Sequence, residues 1–279
     1  MSKKNVHTEG RGERAGAVLF AQWDEFCRLR LSVLSQGDID SIHDLRVASR
    51  RMRAMIGLFA PFVDGSVAGK FAKQLRRVTR KLGRLRNVDE AMVYFSGLSE
   101  PQPVLAGLLR TIRVREMRAV ADVLDRFPRQ DLDRDMRKIV AELVVIPADD
   151  PALPVYFSET SIQRYQRVFD LLLSATVPGN VLERHALRIA IKKWRYLLET
   201  LGQVCRHDYS AALFLLKEYQ TLLGSLNDMA EFGELCDTLD IPDNEKRIVA
   251  ASLTEDSGIY LARFIETVAA RPPQYIFSP

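Results

Sequence analysis

Cysteine and histidine are scarce in this sequence of 279 residues, which contains three cysteines and four histidines. The cysteines are far apart and match no Cys-x-x-Cys spacing, so the sequence favours unpaired thiols in a reducing compartment over a disulfide framework. The histidines lack the His-x-x-x-His and His-Glu-x-x-His spacings of metal-binding helices. We therefore expect neither a metal nor another cofactor.

Long hydrophobic runs and strand patterns are also missing. The longest apolar runs, such as residues 211–216, are much shorter than a membrane-spanning helix, and the polar N-terminal residues contain no signal-peptide core. The period-two alternation of half-buried strands is rare. The sequence therefore predicts a soluble, cytoplasmic protein of the all-α class.

Apolar residues instead recur every three or four positions over long stretches, which predicts helices. The predicted helices cover residues 12–36, 40–60, 67–97, 101–127, 131–147, 158–176, 180–204, 207–239 and 243–271. We interpret the proline-rich stretch Ile146–Phe157 as an internal linker. Residues 1–11 are expected to be a flexible N-terminus. Residues 12–279 are expected to form a single domain of two repeats, 12–147 and 155–279.

The two repeats are visible as matching segments. HDLRVASRRMRAMIGLF begins at His43 and HALRIAIKKWRYLLETL begins at His185, and the two align without a gap. A second pair matches Arg76–Asn87 with Lys217–Asp228, and both segments contain Leu-Gly-x-Leu. Two matches in the same order and at nearly the same offset indicate a duplicated helical unit.

Positive charge is concentrated in the first repeat. The chain has a net charge of +4, but residues 43–86 contain twelve basic residues and two acidic ones. On helical wheels the basic residues form stripes opposite the apolar faces. The stripes contain His43, Arg46, Arg50 and Arg53, then Lys73, Arg76, Arg77, Arg80 and Arg84, then His185, Arg188, Lys192 and Arg195. In the segment that matches the second stripe, Lys217 keeps its charge, whereas Thr221 and Ser225 replace Arg80 and Arg84. Arg51, Lys193 and the aromatic Phe59, Trp194 and Tyr196 fall off the stripes on these wheels.

Such stripes differ from an ordinary solvated helix face, which carries charges of both signs. Like charges stand four residues apart at Arg46 and Arg50 and again at Arg76 and Arg80, which destabilises a helix unless an anion offsets the repulsion. Because no aromatic residue lies on the stripes, they suit a phosphate backbone better than nucleic-acid bases. A protein that binds the nucleic-acid backbone remains the alternative.

The repeated His-x-x-Arg-x-x-x-[Arg/Lys]-[Arg/Lys]-x-Arg segments and the two Leu-Gly-x-Leu segments resemble those of the CHAD family, the conserved-histidine α-helical domain. The resemblance implies a bundle of long helices in two four-helix-type halves, related by a pseudo-twofold axis around a basic central cavity. It also implies binding of inorganic polyphosphate, association with polyphosphate granules and contact with other granule proteins. The stripe residues named above, together with Lys217, would be the binding residues. Arg86-Asn87 departs from the Arg-Asp of the family pattern.

An enzymatic role is the less favoured interpretation. A phosphoanhydride hydrolase would need acidic residues to hold Mg²⁺, and Asp89, Glu90, Asp228 and Glu231 are interpreted as helix-end or surface acids. We therefore expect a binding module without catalytic residues. The two repeated histidines are expected to be neutral in the free protein and to take up protons when a polyanion binds, whereas the arginines and lysines stay charged throughout.

Overall fold

The structure is a computed structural model that describes residues 10–277. Within this range the chain forms nine α-helices and no strand, so the predicted all-α class is confirmed. The helices are α1 (Arg11–Ser35), α2 (Ile39–Phe59), α3 (Gly65–Ser96), α4 (Pro103–Asp125), α5 (Arg129–Val144), α6 (Ala152–Leu172), α7 (Val181–Cys205), α8 (Ser210–Asp237) and α9 (Asp243–Ala270). Of the N-terminal segment expected to be flexible, residues 1–9 lie outside the described range, whereas Arg11 begins α1.

Side-chain caps fix the starts of α2 and α3, which contain the twelve basic residues between positions 43 and 86. The Asp38 carboxylate accepts a hydrogen bond from the Ser41 backbone N–H at 2.8 Å, at the start of α2. Asp64 accepts one from the Ser66 N–H at 2.8 Å, at the start of α3. Such caps satisfy backbone donors that have no partner inside the helix. Asp64, one of the two acids between residues 43 and 86, therefore caps the N-terminus of α3.

The predicted linker is shorter than expected, because α6 begins at Ala152 and not near residue 158. Pro151 caps this helix and Pro154 lies in its first turn, where a missing backbone N–H breaks no helical hydrogen bond. Phe157 is buried and its ring lies 6.3 Å from that of Phe59 at the end of α2. The early start of α6 therefore places its first turns against α2.

Helices that follow one another in the chain pack together within each half. In the first half α1 packs on α2, α2 on α3 and α3 on α4, and in the second half α6 packs on α7, α7 on α8 and α8 on α9. The additional helix α5 packs on α1. Contacts between the halves are made by α7 with α1 and α2, and by α3 with α8. This bundle brings the basic stripes of α2 and α7 together, while the duplication itself stays a prediction.

None of the helices between residues 10 and 277 combines the length and the apolar character that crossing a bilayer requires.

Candidate functional site

Four basic side chains meet where α2 crosses α7, and we call them the central cation cluster. They are Arg46 and Arg50 from α2 and Arg188 and Lys192 from α7. Lys192 is only 6% exposed, and the Nε atoms of Arg46 and Arg188 are buried without a hydrogen-bond partner among the described residues. Arg46 also lies against α3, where its Nε is 3.9 Å from the place that a Cβ atom added at Gly83 would occupy. Both halves of the chain therefore contribute to one buried group of cations.

Burial and mutual repulsion disfavour the charged forms of Arg46, Arg188 and Lys192. Burial, followed by the charges of Arg188, Arg50 and Arg46, lowers the pKa of Lys192 to about 6. Burial, followed by the charge of Arg50, lowers the pKa of Arg46 to about 10. The expectation that every lysine of the stripes stays charged is thus wrong for Lys192, because it lies in the interior beside three arginines.

Three carboxylates, those of Glu90, Asp228 and Glu231, lie on one side of the cluster, at the contact between α3 and α8. Asp228 is 3.7 Å from Arg188, and Glu90 is 2.9 Å from Arg86. Burial, followed by the charge of Glu90, raises the pKa of Asp228 to about 6. The interpretation as a helix-end or surface acid is therefore wrong for Asp228, which lies against Arg188 in the interior. No set of three or more histidines, cysteines and carboxylates in the described chain is arranged to hold a metal ion.

Asp89, the remaining acid considered as a metal ligand, has a different partner. Its side chain is fully buried, and one carboxylate oxygen accepts a hydrogen bond from Arg113 Nε on α4 at 2.7 Å. Burial raises the pKa of this carboxyl group. Asp89 therefore connects α3 to α4, away from the central cation cluster.

A cavity of about 340 Å³ opens between α2, α6 and α7, next to the central cation cluster. Its polar and apolar walls are formed by Arg50, Arg53, Ala54, Gly57, Leu58, Tyr156, Thr160, Arg164, Ile189, Lys192, Lys193, Tyr196, Leu197 and Thr200. Five of these residues are basic, and none of the described wall residues is acidic. Of the predicted site residues, Arg50, Arg53 and Lys192 line this cavity.

The helical wheels misplaced two residues of this cavity and did not include a third. Lys193 and Tyr196 were expected off the basic stripes, yet both line the cavity. Arg164 also lines it but belongs to α6, which has no repeated basic motif. A wheel describes one helix in isolation, whereas here a third helix faces the groove between two others. The only signal for Arg164 in the sequence is its own charge.

Arg195 differs from the other residues of its predicted stripe. Its Nη1 lies 2.8 Å from Glu199, one turn later on α7, and its guanidinium is 5.2 Å from the centre of the Tyr196 ring. Glu199 also pairs with Arg51 of α2 at 3.2 Å. The structure therefore gives Arg195 a carboxylate partner, unlike Arg50 and Lys192.

The basic residues of α3 form a second, exposed group, which we call the α3 basic face. It contains Lys73, Arg76, Arg77, Arg80 and Arg84, all of which are exposed. Within the described range none of them has an ion-pair partner within 4.0 Å. Arg76 is close enough to Arg53 for its charge to help lower the pKa of Arg53, after the larger effect of burial. Arg53 thus links the α3 basic face to the cavity.

The corresponding face of α8 is nearly uncharged. Lys217 is exposed, but Thr221 and Ser225 direct their hydroxyl groups to backbone carbonyls of the same helix. The corresponding faces of α3 and α8 therefore differ in charge.

The two repeated histidines lie at the margin of the site. His185 Nδ1 is 2.8 Å from Asn227 Oδ1, and the Asn227 amide donates to Glu231 at 2.6 Å. Asn87 of α3 donates to the same carboxylate. Because the Asn227 oxygen accepts, Nδ1 of His185 carries the proton, and Nε2 can donate to a phosphate only when the ring is charged. Burial, followed by the charge of Arg86, lowers the pKa of His43.

Comparisons with known proteins agree with this architecture. The family model described as CHAD domain matches residues 17–237. The crystal structure of the CHAD domain from the plant Ricinus communis is similar, with a TM-score of 0.66 and 20% sequence identity, over 95% of this chain and 89% of that one. PptA from Streptomyces chartreusis is also similar, with a TM-score of 0.66 and 17% identity, over 92% of this chain and 97% of that one. No curated protein matches the sequence.

Proposed function

Because this chain belongs to the CHAD family, we propose that it binds inorganic polyphosphate through the central cation cluster, the adjoining cavity and the α3 basic face. The observation that carries the proposal is that three of the four basic side chains of the cluster lack a carboxylate partner in the described part of the chain. Among the described residues, Arg46, Arg50 and Lys192 have no ion-pair partner within 4.0 Å. Arginines without a carboxylate partner, beside a lysine whose charged form is disfavoured by burial, are stabilised by a ligand that supplies negative charge.

Phosphate chains suit the geometry of these cations. Arg46 and Arg50 are four residues apart on α2, as are Arg188 and Lys192 on α7, so each helix presents a cation about every 6 Å. Arginine offers a planar fork for phosphate oxygens, and lysine offers a mobile point charge. A long chain can contact the cluster, pass Arg53 and continue along the α3 basic face. A short chain reaches only one of these groups.

The role we propose is binding without catalysis, as is general for this family. The carboxylates closest to the cluster contact arginines or asparagines, and these contacts account for their positions in the fold. We further propose that the protein associates with polyphosphate granules in the cytoplasm, together with other granule proteins. The exposed α3 basic face also suits the backbone of a nucleic acid, which is the second candidate ligand.

Isothermal titration with phosphate chains of increasing length tests the proposal. We expect affinity per chain to rise strongly from pyrophosphate to long chains, because only long chains contact both the cluster and the α3 basic face. Arg53→Ala should weaken the binding of long chains more than that of pyrophosphate, since Arg53 lies between the two groups. Arg247→Ala, which removes an exposed charge from α9, is the matched control and should leave both affinities unchanged. Equal affinity for short and long chains would contradict the proposal.

A further inference from the structure

The cavity between α2, α6 and α7 has two chemically different ends. On α2, Arg50 and Arg53 precede the uncharged Gly57 and Leu58 by about 6–12 Å along the helix. On α6 the order is reversed, with Tyr156 about 12 Å before Arg164. Each of the two helices thus presents cations at one end of the cavity and uncharged side chains at the other.

Ring contacts show that the basic ends of these helices lie at the same end of the cavity, and that their uncharged ends lie together at the other. The Tyr156 ring lies 5.2 Å from that of Phe62, just after α2 ends, so the start of α6 is beside the end of α2. Tyr165, next to Arg164, lies 5.3 Å from Trp194, next to Lys193 on α7. The cavity therefore has a cationic end formed by Arg50, Arg53, Arg164, Lys192 and Lys193. Its uncharged end is formed by Gly57, Leu58, Tyr156, Leu197 and Thr200.

Bare polyphosphate has no group that suits the uncharged end. A polyanion of phosphates alone would leave the Tyr156 ring, Leu58 and Leu197 facing a strongly hydrated ligand. An aromatic ring packed there would remove apolar surface from water and could stack on tyrosine. The volume of about 340 Å³ is at the lower end of the range for small-molecule sites, so it suits one small ligand and not a nucleic-acid strand.

We propose that this cavity binds a nucleoside 5′-polyphosphate, with the phosphates at the cationic end and the base at the uncharged end. The inference shares its cations with the proposed polyphosphate function but depends in addition on the uncharged wall. Tyr156 is half-buried on the cavity wall, where its ring face can stack on a base. Base recognition at this site is compatible with any base, because stacking discriminates weakly between them.

Titration with ATP and with inorganic tripolyphosphate, both without added divalent cation, tests this inference. Tripolyphosphate carries at least as much negative charge as ATP, so tighter binding of ATP reports on the nucleoside. We expect Tyr156→Ala to weaken ATP binding at least about fivefold, the lower bound for the loss of one base stack, and to leave tripolyphosphate binding unchanged. Phe169→Ala, on an exposed part of α6 outside the cavity, is the matched control and should change neither affinity.

A second variant tests the same end of the cavity without removing packing contacts. Gly57 lines the cavity, and a Cβ atom added there meets no atom within 4 Å. Gly57→Leu should therefore fold, fill the space for the base and weaken the binding of ATP but not of tripolyphosphate. Leucine also favours the helical conformation more than glycine does.

The outcomes separate this inference from the proposed function. If ATP binds no more tightly than tripolyphosphate and neither Tyr156→Ala nor Gly57→Leu changes its affinity, the nucleotide site is disproved. The polyphosphate proposal would still stand if long phosphate chains bind. If ATP binds with the expected sensitivity to both variants but long chains do not bind, the inference holds and the polyphosphate proposal fails.

Discussion

The central cation cluster and the α3 basic face both consist of basic side chains, but the cluster lies in the interior and the α3 basic face is exposed to solvent. The cluster is held by two helices from different halves, and Lys192 within it has a pKa lowered to about 6 by burial and neighbouring arginines. The α3 basic face lies in water on one helix. Burial strengthens electrostatic interactions with a ligand. The attraction between exposed charges and a ligand is instead weakened by salt, with a screening length of about 10 Å at 0.1 M. We therefore assign short-range, pH-dependent binding to the cluster and long-range, salt-dependent attraction to the α3 basic face.

The largest expected effect comes from reversing one charge in the cluster. Arg50→Glu would place a carboxylate beside Arg188 and Lys192 and occupy the position where phosphate should bind. We expect affinity for long polyphosphate to fall on the order of 100-fold, a loss typical of disrupting a buried charge pair. Arg77→Glu, on the α3 basic face, is the matched reversal and should cost much less at 0.15 M salt. Equal losses in the two variants, measured by titration, would erase the distinction between the groups.

The next effect is a dependence of binding on pH that comes chiefly from Lys192 in the cluster. A bound polyanion raises the pKa of Lys192 from its value of about 6, so binding takes up a proton. This contribution is fully present below pH 6 and is lost as the pH rises toward the higher pKa of the bound state. Asp228, whose pKa is raised to about 6 by burial and Glu90, acts in the same direction.

The variant Lys192→Arg distinguishes the contribution of Lys192 to the pH dependence of binding from the contributions of other titrating groups. The equivalent position in the first repeat is Arg50, so we expect arginine to fit on α7, and it would stay charged throughout. The variant should bind long polyphosphate with less weakening between pH 6 and pH 8 than the unmodified protein. An unchanged pH profile would show that Lys192 does not titrate on binding.

A smaller effect is expected from charges on the two unequal halves. Arg77→Glu with Arg80→Glu should lower the slope of log affinity against log salt by roughly two, because each phosphate contact contributes about one unit. Lys217→Glu should change it by about half as much, since α8 has one basic residue where α3 has several. Circular dichroism should stay helical in both proteins because the changes lie on exposed faces. A larger effect from Lys217→Glu would reverse the predicted asymmetry.

The smallest effect is expected from the histidines. His43→Ala with His185→Ala should weaken binding about two- to tenfold at pH 6, the value of lost hydrogen bonds, and by less at pH 8. The reason is that burial and the charge of Arg86 lower the pKa of His43, whereas a bound polyanion favours the charged form, which donates from both ring nitrogens. A double variant that keeps the pH profile of the unmodified protein would limit the histidines to a structural role.

The sequence alone predicts the all-α fold, because apolar residues recur every three or four positions over long stretches, and this signal depends only on neighbouring residues in the chain. It also identifies Arg46, Arg50 and Lys192, because the repeated motif marks them twice. It does not predict the lowered pKa of Lys192 or the place of Tyr196 in the cavity wall, since both depend on how α2, α6 and α7 meet. Arg164 was missed for the same reason. Tertiary contacts between helices from both halves decide these properties, and no single helix contains that information.

Competition between long-chain polyphosphate and single-stranded DNA at equal phosphate concentration tests the central claim most directly. Arg50 and Lys192 of the cluster line a cavity of about 340 Å³, which admits bare phosphates more readily than a strand that carries a base on every phosphate. We predict that polyphosphate displaces DNA from the protein, and that Arg50→Glu removes this preference while leaving weak, salt-sensitive binding of both polymers to the α3 basic face. Displacement of polyphosphate by DNA, or a preference that survives Arg50→Glu, would contradict the account.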